Sequence, residues 1–106
     1  MDKEAALDEH LSRLLSHPYV GELRELAKEY YIAVGEVLIT VKVYRYPYDD
    51  TYVAIPNYGV QRSGEAVPYR RMEHLSTAEE ALEDSVGSLL EQYNPDEGQG
   101  CLARIE

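Results

Sequence analysis

Residues 36 to 48, EVLITVKVYRYPY, alternate with a period of two. Val37, Ile39, Val41 and Val43 fall on one side. Glu36, Thr40, Lys42, Tyr44, Tyr46 and Tyr48 fall on the other, and Leu38 is the one clear exception. Successive strand side chains point to opposite faces, so this run predicts a half-buried β-strand. TYVAI at 51 to 55 is the next strand, stopped by Pro56 and the turn PNYG. The apolar pattern selects a three-residue loop, Asp49-Asp50-Thr51, over a two-residue turn. It places Tyr48 opposite Tyr52 and Tyr46 opposite Ala54, with Val53 and Ile55 beside the aliphatic face. Tyr44, Tyr46, Tyr48 and Tyr52 are then expected on one face, away from the aliphatic core, as a candidate interface.

Helical patterns flank the strands. In STAEEALEDSVGSLLEQYNP, Ser76 with Glu79, or Thr77 with Glu80, fits a capping box. Ala78, Ala81, Leu82, Val86, Leu89, Leu90 and Tyr93 form a continuous apolar stripe. This helix, 77 to 93, is expected to cover the aliphatic face of the sheet. Gly87 lies inside it and suggests close packing. Residues 2 to 16 read as a first helix, capped by Asp2, striped by Leu7, Leu11, Leu14 and Leu15, and ended by His17-Pro18. Val20, Leu23, Ala27, Tyr30 and Tyr31 predict a second helix over 19 to 32, with Gly35 to stop it. A third extended segment lies within 60 to 72, broken by RSGE and Pro68. The tail DEGQG is expected to be mobile, and CLARI at 101 to 105 can return as a short strand. The fold class is α+β: a small antiparallel sheet of about three strands, two N-terminal helices and one long C-terminal helix, in the order ααβββα. Residues 1–93 form a single domain and 94–106 a tail.

Composition narrows the function classes. The 106 residues carry 20 acidic and 10 basic side chains, a net charge of −10, and 10 Tyr with no Phe or Trp. Such a charge repels phosphate backbones and disfavours nucleic acid as a partner. It suits solubility, a basic protein partner or a salt-rich source. No apolar run approaches the ~18 residues of a membrane span, so no membrane association is expected. The start MDKEAALDEH lacks the basic and apolar parts of a signal peptide, which places the chain in the cytoplasm as an expectation. The single Cys101 excludes an internal disulfide and a cysteine-only zinc site.

The chain carries no phosphate-binding loop, dinucleotide fingerprint, nucleophile elbow or zinc-protease helix, so no catalytic residue, metal or cofactor is assigned. His10 and His17 read as solvent-facing, and Asp49-Asp50 reads as a turn tip. Arg62, Arg70 and Arg71 are the one basic concentration. Guanidinium groups suit bidentate capture of carboxylate or phosphate, so Arg62, Tyr69, Arg70, Arg71 and His74 form a candidate ligand set. The competing reading pairs those arginines with Glu79, Glu80, Glu83 or Asp84 on the following helix.

Residues 37 to 93 resemble HicB-like antitoxin domains through a strand, then DDTYVAIPNYGV, then SGEA, then STAEEALEDSV. The resemblance implies a small sheet with a packed helix and a role in neutralising a partner protein. The order VPYRRMEHL before the helix, the N-terminal helical third and the lack of a DNA-binding extension depart from that family's pattern. The expected function is a non-enzymatic protein-interaction module, binding a second copy as a homodimer or a basic protein. The alternatives are a small-molecule binder or minor enzyme at the Arg/His/Tyr set, and a single-stranded RNA binder that stacks bases on the Tyr face.

Overall fold

A computed structural model describes residues 3–62, 64–94, 96 and 100–105, with side chains from Glu9 onward. The chain is α+β, with two helices, a three-stranded antiparallel sheet and a short two-stranded one among these residues. In order the elements are α1 (Lys3–Leu15), β1 (Glu25–Val34), β2 (Val37–Tyr46), β3 (Thr51–Pro56), β4 (Tyr58–Gln61), α2 (Ala78–Gln92) and β5 (Cys101–Arg104). β1-β2-β3 is a meander, and β4 pairs with β5. The return strand expected at 101 to 105 is β5. The proposed Asp2 cap and residues 97–99 of the expected mobile tail lie outside the described residues. No helix among the described residues is long and apolar enough to cross a membrane.

The second N-terminal helix is instead strand β1, which is the main correction to the predicted order. Tyr30, Ile32 and Val34 alternate and sit opposite Val41, Ile39 and Val37. Gly35-Glu36 makes a two-residue hairpin turn, with Gly35 at φ +61 in its first position, where a side chain would be strained. A Cβ on Gly35 would also lie 3.1 Å from the Tyr93 hydroxyl. The helical spacing of Val20, Leu23, Ala27, Tyr30 and Tyr31 was a weaker signal than aromatic and β-branched residues paired across a hairpin.

The β2–β3 register also differs from expectation. Tyr46 is opposite Thr51, Tyr44 opposite Val53 and Val43 opposite Ala54, so the loop has four residues, 47–50. Two local causes close it. The Asp49 carboxylate accepts from the Thr51 amide at 3.2 Å and its hydroxyl at 2.7 Å. Asp50 takes a left-handed φ of 56, donates its N–H to the Tyr46 carbonyl and pairs with Arg45 at 2.8 Å. Both aspartates are turn residues, as their sequence context suggested. The shift of parity moves Val53 and Ile55 to the face of Tyr44 and Tyr46, and Tyr52 to the face of Val41 and Val43.

The core lies between that second face and α2. Val41 and Val43 are 0% exposed. α2 buries Ala78, Ala81, Ser85 and Leu89, at spacings of three, four and four, against β2 and β3. The helix therefore covers the aliphatic face as expected. Its start is set by Thr77, whose side chain accepts from the Glu80 amide at 3.1 Å. Such a cap contributes about 1 kcal/mol. Gly87 has nothing within 4 Å of a built Cβ, so the expected close packing there is absent.

Candidate functional site

The register decides what the tyrosines can do. Tyr44 and Tyr46 lie on the outer face, Tyr52 turns toward the core, and Tyr48 sits in the exposed loop. The four rings therefore do not share one platform. Arg24 stacks 4.1 Å from the Tyr44 ring centre and donates to the Tyr46 hydroxyl at 3.4 Å. That bond to Tyr46 holds the Arg24 guanidinium above its ordinary value, against a smaller opposing effect of burial. Tyr46 is 7% exposed, and its ring lies 4.8 Å from His74.

His74 is oriented through Thr51. The Thr51 hydroxyl lies 2.7 Å from the His74 Nδ1 and 2.7 Å from the Asp49 carboxylate. The Thr51 hydroxyl donates to Asp49 and so bridges that carboxylate to the His74 ring. The chain fixes the ring over Tyr46. His74 thus separates from the arginines of the predicted ligand set. Arg71 also separates, through ion pairs to Glu73 at 2.9 Å and Asp84 at 3.1 Å. These hold its charge above the ordinary value, with the Glu73 bond first. Pairing with the following helix was the competing reading of this arginine, and for Arg71 it holds.

Arg62, Tyr69 and Arg70 all line one concavity of about 440 Å³ beside β4. The Arg62 Nη2 donates to the Gln92 side-chain oxygen at 2.6 Å, and the Arg70 Nη1 donates to the Pro56 carbonyl at 3.0 Å. His10 lies 3.5 Å from Arg13, and the His17 Nδ1 accepts from the Tyr19 amide at 3.2 Å. No group of three or more His, Cys, Asp or Glu able to hold a metal ion occurs among the described residues.

A second surface was missed from sequence. On the outer face Leu26, Tyr31 and Leu38 are 53%, 63% and 60% exposed. Leu38 lies opposite Ala33, Tyr31 opposite Thr40, and Leu26 opposite Tyr44, which makes one run along β1 and β2. A concavity of about 450 Å³ on this face is lined by Arg24, Lys42 and Arg104, with Glu29 its one lining carboxylate among the described residues. The signal was available in the alternation of EYYIAV before Gly-Glu. Reading 19 to 32 as a helix hid it. β1 is also an edge strand, so one side of its backbone has no strand beside it among the described residues. Set against known protein families, characterised proteins and solved structures, the chain matches none.

Proposed function

We propose that the chain is a non-enzymatic interaction module that pairs with a second copy of itself through the outer face of the three-stranded sheet. The observation that carries this reading is the run of exposed Leu26, Tyr31 and Leu38 beside a locally basic concavity in a chain of net charge −10. Exposed apolar surface of this kind favours contact with another molecule. The occupant should be apolar and acidic. Helix α1, KEAALDEHLSRLL, has that character, with three carboxylates against two basic residues and a leucine stripe. Leu14 on that stripe is 52% exposed, so the helix lacks a full partner within its own chain. A 13-residue helix is marginal in water on its own propensity, and docking supplies what it lacks. The partner copy's α1 laid on the outer face satisfies both surfaces reciprocally, as a two-fold dimer requires.

Light scattering after size exclusion tests this reading. Two copies of a −10 chain repel, and the Debye length falls from about 10 Å at 0.1 M salt to about 3 Å at 1 M. The expected mass is that of two chains at high salt, with more single chain at low salt. Tyr31→Glu with Leu38→Glu should return the single-chain mass at both, with thermal unfolding still cooperative. A single-chain mass at both salts for the unaltered protein overturns the reading.

A further inference from the structure

We propose that the concavity formed by Arg62, Tyr69 and Arg70 beside β4 and the end of α2 binds a small oxyanion bearing two acidic oxygens, a phosphate or a dicarboxylate. Its frame is fixed before any ligand arrives. The Val60 and Tyr69 backbones exchange hydrogen bonds at 2.8 and 2.7 Å, which pins the 68–70 segment to β4. Gly59 permits this approach, because a Cβ there would lie 2.6 Å from the Tyr69 carbonyl oxygen and 2.8 Å from the Pro68 Cβ. Arg70 is braced on the Pro56 carbonyl, and Arg62 on the Gln92 side chain.

Both braces are neutral, and that is the telling point. Among the described residues, Lys28, Arg45 and Arg71 sit in ion pairs, while neither the Arg62 nor the Arg70 guanidinium has a carboxylate within ion-pair distance. Glu65 also lines the concavity, and its carboxylate accepts from the Arg62 main-chain N–H at 3.3 Å. A guanidinium has five N–H donors in a planar fork. One hydrogen bond from each leaves donors that match an anion's paired oxygens. In a chain where carboxylates outnumber basic groups two to one, a pair of arginines held by neutral acceptors at one concavity keeps its charge for a ligand.

The test is a titration of the full chain with inorganic phosphate and, separately, with succinate. It is followed by amide and arginine Nε resonances at ionic strength matched with chloride. The expected result is saturable shifts at Arg62, Tyr69 and Arg70. Affinity should fall about tenfold or more in Arg62→Gln and in Arg70→Gln, as loss of a charge-assisted bond implies. Arg62→Lys, which keeps the charge but not the fork, should fall between. Saturation by phosphate alone narrows the class to phosphates, saturation by succinate alone narrows it to dicarboxylates, and saturation by both keeps the wider class. Shifts that rise without saturating for either anion overturn the proposal, as does an affinity in both Gln variants equal to that of the unaltered chain. If a Gln variant loses its dispersed spectrum, the Lys variant decides, and an unchanged affinity there sinks the bidentate geometry.

Discussion

The two faces of the three-stranded sheet share a backbone and differ in nearly everything else. The face under α2 holds Val41 and Val43 fully buried and Ala54 against the small residues of the helix. The opposite face buries Tyr46 and Val53 at its β3 side, yet leaves Leu26, Tyr31 and Leu38 largely in water along β1 and β2. The first face is closed by helix cover from within the chain. The second is covered over Tyr46 by Arg24 and His74. One face therefore supplies stability, and the other keeps apolar surface available for contact.

Truncating a side chain on each face gives the largest contrast. Leu89→Ala removes a side chain buried to 2% exposure between α2 and the sheet. It should cost about 2–5 kcal/mol in urea denaturation, the range for emptying a packed site. Leu38→Ala, measured at low protein concentration, should stay within about 0.5 kcal/mol. Similar losses at both positions would mean that the outer face is packed within the single chain, and the contrast would fail.

Smaller changes on α2 sharpen the same comparison. The Ser85 hydroxyl is buried beside the core with no hydrogen-bond partner among the described residues. Ser85→Ala removes an unsatisfied group and raises helix propensity, so it should stabilise by roughly 1–2 kcal/mol. Gly87 lies on the solvent side with space around it. Gly87→Ala should therefore raise stability by up to about 1 kcal/mol, measured as a shift of the urea midpoint at constant slope. A loss at Gly87 would show that the groove beside Arg71 and Asp84 needs the missing side chain.

How much of this was legible in the sequence depended on where the decisive contacts lie. α2 was readable because its stripe, its Thr77 cap and its stop are all local. Strand β2 was readable for the same reason. The register failed because period-two reasoning assumes that one face is wet along its whole length. Tyr46 and Val53 are both buried on the outer face, and over Tyr46 the cover includes His74 and Arg24, far away in sequence. β1 was missed because its strand character depends on pairing with β2, a tertiary gain that outweighs a helical spacing. Of the ligand set, Arg62, Tyr69 and Arg70 were brought together by the bridge from β4 to Tyr69. Arg71 and His74, their neighbours in sequence, were carried to other surfaces.

The smallest effect lies at the edge of the covered face. Lys28 on edge strand β1 donates to Glu79 in the first turn of α2 at 2.6 Å. The Lys28 bond holds the Glu79 carboxyl below its ordinary value, helped by a backbone N–H, and the same bond raises Lys28. Glu79 lowered in the folded state contributes stability above its unfolded pKa, and that contribution is lost as pH falls through the depressed folded value. Lys28 raised in the folded state contributes below its unfolded pKa, and that contribution is lost as pH rises through the raised folded value. The pair should therefore act across the neutral range and fade at both ends. Both groups are well exposed, so the effect is slight and weakens further with salt. The measurement is the stability difference between the unaltered chain and Glu79→Gln, followed with pH at low salt. A plateau at neutral pH that closes on both sides fits the pair. A difference that persists unchanged into acid would mean that Glu79 acts through shape or helix propensity, and that β1 is held to α2 by apolar packing alone.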